Sequence, residues 1–274
     1  MNTKTLSQHA LSVIDQYLHF KAGTAVCSVP YFNNKVTVKR GALRAYGGKG
    51  SPQDIFVEVQ EIAIKKRISL SVVVGSSTAF ADESLKKVLV ENNLGIDCSG
   101  FAYYILNAES QESGKGSLDR HLSFIKCVGM IAKIRCSLRP IENCDVATLA
   151  NDTNSRVMSA KEIQPGDFIS LLSTADAQAE KGHSQTAQRD HILVIHQVEY
   201  QNFIPTKIHY SHAIAYPEDG IYGSGIRQGL IEILDPEKDL LEQKWIEEGK
   251  EGSENRLFMR AKSSQTEVRR LKWM

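Results

Sequence analysis

The sequence of 274 residues has no long hydrophobic run and almost no excess of charge of either sign. No uninterrupted apolar stretch approaches the roughly 20 residues that span a bilayer, so we expect no membrane partner. The formal net charge of +1 gives no electrostatic reason to expect a nucleic-acid partner. Residues 1–10 lack the apolar core of a signal peptide, which makes a cytoplasmic location the expectation.

Cysteine is also scarce, and its pattern excludes two kinds of site. The five cysteines are separated by wide, irregular gaps, and no Cys-x-x-Cys pair occurs. An odd count with such gaps predicts neither a disulfide framework nor a structural zinc site. Four of the cysteines are interpreted as small buried hydrophobes: Cys27, Cys127, Cys136 and Cys144.

Cys98 differs because of its position at the start of a predicted helix. The turn at 92–95 precedes it, and Asp97 offers a side-chain cap. Apolar residues follow at helical spacing: Phe101, Tyr104, Ile105 and Ala108. The first turn of a helix has unpaired N–H groups and the positive end of the helix dipole. We therefore expect a lowered pKa for this thiol, which favours the reactive thiolate.

Helical patterns dominate the first part of the chain. Ser51 and Pro52 end a glycine-rich loop and predict the start of a helix over 53–66. The loop lacks the residue order of a phosphate-binding P-loop. A further helix is predicted over 82–91, and strand-like stretches are predicted at 24–29, 35–40 and 68–74.

Strand patterns take over from residue 163 onward. Strands are predicted over 168–172, 191–200, 206–213, 230–234 and, at a sheet edge, 268–271. The charged segment from Pro236 is interpreted as mainly helix and loop. Helices followed by antiparallel strands indicate an α+β fold with helices packed on one side of the sheet. We predict a single domain over 1–274, with an N-terminal elaboration over 1–94 and an insertion over 110–160.

A cysteine nucleophile needs a base and a group that orients the base. His191 is the best candidate base because it opens a strand directly after a long polar loop. His209 lies on the next strand of the predicted hairpin. Neighbouring strands are about 4.8 Å apart, so a side chain there could hold the other nitrogen of the His191 ring.

The same hairpin also raises the possibility of a zinc site. It carries four histidines: His191, His196, His209 and His212. The separations within each strand are odd, which places partners on opposite faces. A three-ligand site would therefore need a bulge, and we prefer the interpretation without metal.

Three short patches resemble the NlpC-type cysteine peptidases, which are papain-like enzymes of bacterial cell-wall turnover. They are Asp-Cys-Ser-Gly-Phe at 97–101, Pro-Gly-Asp at 165–167 before a strand, and His191 with His209 on consecutive strands. The resemblance implies a papain-like fold, in which helices pack on an antiparallel sheet or half-barrel. It also implies Cys98 as nucleophile, His191 as base and His209 as orienting residue. In this chain the cysteine precedes the two histidines, whereas in the circularly permuted acyltransferases the histidine precedes the cysteine.

Several features depart from this family. A Tyr-x-x-Gly-Gly stretch often lies close before the family's cysteine, whereas Tyr46-Gly47-Gly48 lies far upstream here. The segment between Cys98 and His191 is longer than usual, and Arg189 and Asp190 replace the usual small residue before the histidine. These departures weaken the expectation of a peptidoglycan substrate more than the expectation of a papain-like fold.

An oxyanion also needs hydrogen-bond donors. The backbone N–H of Cys98 is one candidate. Asn92 lies six positions earlier, the offset at which papain-like peptidases place a glutamine donor. Other candidates for this role or for substrate contact are Ser99, Tyr31 and Asn33.

The predicted activity is hydrolysis of an amide or peptide bond through an acyl-thioester on Cys98, with no cofactor and a peptide-like substrate, for example of peptidoglycan type. Acyl transfer or transglutamination on the same residues is the first alternative. A catalytically silent binding domain and a zinc enzyme on the histidine hairpin are the others. The sequence does not distinguish a lid from a partner surface for the 110–160 insertion.

Overall fold

The computed structural model describes residues 2–32, 44–67, 78–125, 127–173 and 190–274. The strands expected over 35–40 and 68–74 lie outside the described residues, as do Asn33 and most of the loop before His191. The helices of the described part are α1 (Gln8–Leu18), α2 (Pro52–Lys66), α3 (Thr78–Glu91), α4 (Cys98–Glu112), α5 (Met130–Leu138), α6 (Pro140–Asn143), α7 (Val146–Leu149) and α8 (Arg256–Lys262). The strands are β1 (Asn2–Thr5), β2 (Phe20–Ala22), β3 (Ala25–Cys27), β4 (Ser155–Val157), β5 (Phe168–Leu172), β6 (His191–Gln201), β7 (Ile204–Ile214), β8 (Gly225–Glu232), β9 (Lys244–Glu247), β10 (Lys250–Glu251) and β11 (Gln265–Leu271).

The helices begin at side-chain caps that the sequence made visible. Ser51 and Asp54 form a reciprocal capping box at the start of α2, and Pro52 occupies its first turn. The side chain of Asp97 caps α4 by accepting a hydrogen bond from the backbone N–H of Gly100. The predicted helix over 53–66 and the helical start at Cys98 are both confirmed.

A nine-stranded antiparallel sheet forms the other layer. Its strand order is β10-β9-β8-β7-β6-β5-β11-β4, and β1 pairs with the far end of β6. The fold is therefore α+β with helices and an antiparallel sheet, as predicted. The C-terminal strand is not at an edge, because β11 lies between β5 and β4. The segment from 236 contains a helix, α8, and loops before its last strand, as predicted, and it adds two short strands, β9 and β10, that were not predicted.

Both faces of the sheet are covered. Helix α4 packs against β6 and β7, and α1 packs against α4. Ile192 and Val194 of β6 join the cluster under these helices, while Leu193 and Ile195 join a second cluster on the other face. Because each fully buried aliphatic side chain contributes about 1.5–3 kcal/mol, this alternation holds β6 in one register. The sheet is thus buried on two sides, not only on the helical side that the sequence indicated.

The predicted insertion has two parts with different surroundings. Helix α7 packs against β5 and places Val146 and Leu149 in the same hydrophobic cluster as α4, and β4 pairs with β11. Helix α5 instead exposes most of its apolar side chains. No helix in the described ranges combines the length and apolar character that crossing a bilayer would require.

Cys127 and Cys136 form a disulfide across the start of α5, which corrects the prediction of unpaired cysteines. Their Cα atoms are 6.5 Å apart, a distance that a disulfide can bridge. The sequence spacing of the two cysteines did not show that the folded chain brings them together. Disulfides are uncommon in reducing compartments, so the cytoplasmic location stays a prediction.

Candidate active site

Cys98 opens α4 and is almost completely buried, with 5% of its surface exposed. The Asp97 carboxylate accepts a 2.6 Å hydrogen bond from the N–H of Gly100 and so sets the first turn. The backbone N–H of Ile192, the residue after His191, faces the sulfur. Helix α4 therefore brings the thiol to the end of the sheet where β6 begins.

The distant Tyr46-Gly47-Gly48 stretch lies directly against this helix start. The backbone N–H of Asp97 donates to the carbonyl of Gly48 over 2.8 Å. Gly48 has a φ of +71°, and a Cβ there would lie 2.1 Å from the carbonyl oxygen of Phe32. Only glycine fits this close approach. A motif that the sequence separates from Cys98 is thus its neighbour in the fold.

A buried lysine lies beneath the helix start. Lys49 Nζ donates to Asp97 Oδ1 at 3.0 Å, to Ser99 Oγ at 2.6 Å and to the carbonyl of Cys144 at 2.9 Å. Burial lowers the pKa of Lys49, but the carboxylate of Asp97 outweighs it and the net pKa is raised. The ammonium is therefore charged and holds Ser99 within the polar cluster. Sequence reasoning did not identify Lys49.

His191 begins β6 and is 1% exposed. Its Nε2 lies 2.8 Å from Nδ1 of His212, and Nε2 of His212 lies 2.8 Å from Oε2 of Glu247. The hydroxyl of Tyr210 donates to the same carboxylate oxygen over 3.3 Å. Three buried side chains, from β6, β7 and β9, therefore form one hydrogen-bonded row, His191–His212–Glu247, which crosses over β8.

His209 was the predicted partner of His191, and the structure places His212 there instead. Nε2 of His209 contacts Oε1 of Glu199 at 2.9 Å, and Glu199 lies near the far end of β6. His209 is three residues from His212 along β7, so the two side chains point to opposite faces. The prediction of His209 as the orienting neighbour of His191 was wrong.

The hairpin turn explains this register. Gln201 pairs with Ile204, and the two residues between them, Asn202 and Phe203, both have positive φ, as in a type I′ turn. The pairing of β6 with β7 shifts by one residue at two places, between Tyr200 and Glu199 and between Gln197 and Ile195, and the second shift reverses the first. Val194 therefore lies opposite Ser211, which is the pairing that an uninterrupted two-residue hairpin would give. Assigning a two-residue turn at 202–203 from the sequence would have placed the side chain of His212 on the same face of the sheet as that of His191.

The proton positions along the row follow from the carboxylate. Burial raises the pKa of Glu247, but the charge and hydrogen bond of His212 outweigh it and the net pKa is lowered. An ionised carboxylate only accepts, so Nε2 of His212 carries a proton. When His212 is neutral, its Nδ1 accepts from Nε2 of His191, which leaves Nδ1 of His191 as a basic nitrogen. A second proton on His212 would make its Nδ1 the donor and leave the proton of neutral His191 on Nδ1, so the role of His191 as base requires a neutral His212.

The resting site holds a thiol and a neutral imidazole. Burial, with the Asp97 charge second, raises the pKa of Cys98 to about 12, although Lys49 and Arg260 oppose it. Burial, together with Arg260 and His212, lowers the pKa of His191 well below its usual value. The expectation of a lowered thiol pKa was therefore wrong, since desolvation exceeds the effect of the helix terminus. Within the described ranges no hydrogen bond joins the sulfur to His191.

Arg260 is a second group that sequence reasoning missed. It lies on α8, and its positive charge lowers the pKa of both Cys98 and His191. The charged C-terminal segment gave no sign that one of its helices faces the site. This cation favours negative charge on the sulfur or on a bound substrate.

Of the other predicted donors, Asn92 is engaged elsewhere. The amide nitrogen of Asn92 donates to the carbonyl of Val88 over 2.7 Å, and its oxygen accepts from Lys66. This arrangement at the end of α3 does not support the oxyanion role. The backbone of Tyr31 pairs with Ile96. The backbone N–H of Cys98 remains, because first-turn N–H groups have no acceptor within the helix.

The histidines do not assemble a metal centre. In the part of the chain that the structure describes, no group of three or more His, Cys, Asp or Glu side chains is arranged to hold a metal ion. His196 instead contacts the hydroxyl of Ser211 at 3.0 Å on the face opposite His212. The hairpin histidines thus divide between two faces, as the odd separations predicted.

No protein-family model, curated protein or solved structure matches this chain. The chemistry of the site is therefore inferred from its own residues and their geometry.

Proposed function

We propose that the protein is a cysteine hydrolase that cleaves an amide bond through an acyl-thioester on Cys98, in a papain-like fold of NlpC type. The observation that carries the proposal is that Cys98, at a helix N-terminus, faces the backbone N–H of Ile192, directly after His191, which begins the buried row His191–His212–Glu247. A nucleophile, a base and a buried group that orients the base are the parts that such catalysis needs.

The proposed reaction has two halves. Nδ1 of His191 takes the proton of the Cys98 thiol while the sulfur attacks the substrate carbonyl carbon, and first-turn N–H groups of α4 stabilise the oxyanion. The C–N bond then breaks as His191 delivers its proton to the leaving amine. In the second half, His191 takes a proton from water, the hydroxyl attacks the thioester, and the carboxylic acid and the Cys98 thiol are released.

The raised thiol pKa decides how the first proton moves. At a pKa of about 12, forming the thiolate alone at pH 7 costs about 7 kcal/mol, at roughly 1.4 kcal/mol per unit. A preformed ion pair is therefore disfavoured, and proton transfer to His191 accompanies attack. Since the resting site lacks the Cys98–His191 hydrogen bond, substrate binding must bring the two groups closer.

Trapping of the thioester tests the proposal. The protein is mixed with N-acetyl-norleucine p-nitrophenyl ester, quenched in acid, digested and examined by mass spectrometry. We expect an acyl adduct on Cys98 that the Cys98→Ala and His191→Ala variants do not form. Cys144 is the matched control, because it is also buried and burial also raises its pKa to about 12, but it lies at the C-terminal end of α6 and not at a helix N-terminus. The Cys144→Ala variant should acylate normally.

Two results would count against the proposal. Acylation of Cys144 at the rate of Cys98 would show that the ester reacts with buried thiols in general. Undiminished turnover by folded Cys98→Ala would exclude a thioester. Added amines distinguish transfer from hydrolysis, since a transferase would form amide products in place of the free acid.

A further inference from the structure

A groove of about 460 Å³ opens beside the candidate site, and we name it the Tyr31–Tyr216 groove after residues on its two walls. This volume lies within the range of about 300–1,000 Å³ that is typical of small-ligand sites. The side chains that line it are mainly apolar, among them Phe32, Leu94 and Ile221. The groove can therefore accept a side chain of substantial size.

One wall of the groove is the chain that leads into the nucleophile. The segment that includes Tyr31 and Phe32 runs beside Ile96, with hydrogen bonds from Phe32 N to the Ile96 carbonyl and from Ile96 N to the Pro30 carbonyl. Leu94 belongs to the same wall. Cys98 follows two residues after Ile96, so this wall belongs to the segment that leads into the start of α4.

The opposite wall is the end of the sheet that carries the base. Ala215 and Tyr216 line it and follow directly after β7. Continuing the β6–β7 register from Val194 opposite Ser211 places the end of β7 opposite His191. The Tyr216 hydroxyl also lies 3.5 Å from Glu247 Oε1. The groove therefore lies between the chain that leads toward Cys98 and the chain that follows β7, and neither Cys98 nor His191 is among its described lining residues.

The part of the groove that the structure describes carries no formal charge. Among the described residues that line it, none is Asp, Glu, Lys, Arg or His. Burial raises the pKa of Tyr216, with the Glu247 charge as the second cause, so its phenol is neutral. Arg227 and Arg256 stack on the Tyr216 ring, but both are ion-paired with Asp219. A charged group entering this groove would lose water without gaining an opposite charge.

We propose that the Tyr31–Tyr216 groove binds an uncharged, apolar side chain of the acyl part of the substrate. This inference rests on the proposed function and names its substrate class: peptides or N-acyl amides with a neutral, hydrophobic residue at the scissile carbonyl. Ionised stem peptides of the peptidoglycan type are excluded as preferred substrates. The competing possibility is recognition of an acidic acyl group by Arg260, which the test must distinguish.

Matched esters test the substrate class, with the leaving group held constant. The full-length protein is given N-acetyl p-nitrophenyl esters of norleucine and lysine, which have side chains of similar length. A second pair is glutamate and its γ-methyl ester. We expect kcat/KM to be about tenfold or more higher for the uncharged member of each pair, because the groove supplies no counter-charge. Preference for free glutamate would overturn the inference and favour Arg260.

A variant of the groove supplies the second measurement. Ile221 lines the groove and is 68% exposed, so Ile221→Lys should fold normally. It should shift the ratio of kcat/KM for glutamate over its methyl ester by about tenfold toward glutamate. Leu234→Lys is the matched control, because Leu234 is 69% exposed and lies outside the groove lining.

The two hypotheses fail in different ways. Hydrolysis that persists in Cys98→Ala contradicts the proposed function. Hydrolysis that depends on Cys98, but shows equal rates within each ester pair and no shift in Ile221→Lys, contradicts the groove assignment alone. An equal shift in Leu234→Lys would show a general surface-charge effect and would also overturn it.

Discussion

The Glu247→Gln substitution tests the row His191–His212–Glu247 most directly. It preserves the shape of the side chain and removes the buried charge that accepts from His212 over 2.8 Å. A hydrogen bond to a charged partner contributes about 1.5–3 kcal/mol. Since roughly 1.4 kcal/mol is tenfold in rate, we expect kcat/KM to fall by about 10- to 150-fold. Hydrolysis of the norleucine ester across a pH series measures this loss.

Glu199→Gln is the control that the chain itself offers. Glu199 contacts His209 at 2.9 Å, so the substitution makes the same chemical change at the other carboxylate–histidine pair of this hairpin. We expect kcat/KM within about twofold of wild type there, because this pair is partly exposed to solvent and makes no contact with His191. A larger loss in Glu199→Gln than in Glu247→Gln would show that His209 orients the base and would refute the reasoning. Thermal unfolding of both variants excludes misfolding as the cause.

Three further predictions follow from the same contacts. His212→Ala should lose activity by about 100-fold or more, whereas His209→Ala should retain most of it, as steady-state kinetics will show. Alkylation of Cys98 by iodoacetamide should be slow at pH 7, and its rate should rise steadily above pH 9. The raised pKa of about 12 keeps the thiol protonated until the pH approaches that value. An alkylation rate that levels off near the ordinary cysteine pKa would contradict this. Lys49→Met should lower the free energy of unfolding by about 3–5 kcal/mol in urea titrations, because it leaves Asp97 buried without its cation. Lys65→Met breaks an exposed pair with Glu61 and should cost less than about 1 kcal/mol; equal losses in both lysine variants would contradict the buried ion pair.

The sequence predicted those parts of the site that depend on local rules. Asp97 caps the helix that Cys98 begins, and an apolar period shows which face is buried. His191 begins a strand because β-branched residues follow it. A capping residue and a hydrophobic period act within a few residues, so they are visible without knowledge of the rest of the chain.

The sequence missed His212 and Glu247 because their roles depend on how strands pair. A shift of one residue in register turns every side chain to the other face of the sheet, and the turn at Asn202 and Phe203 sets that register. Glu247 comes from β9, which is separated from β6 by two strands of the sheet, β8 and β7. Neither the turn type nor the strand order was assigned from the sequence, so the partner of His191 was chosen on the wrong face.

By itself, the sequence determined the α+β class, the helix that presents Cys98 and the strand that presents His191, since short-range capping and periodicity specify each of these. Only the tertiary structure decided the pairing of His191 with His212 and the packing of the Gly48 loop against the Cys98 helix. It also decided the protonation of the site. A helix terminus favours the thiolate, but burial of Cys98 raises its pKa by more, and the degree of burial is a property of the whole packed core.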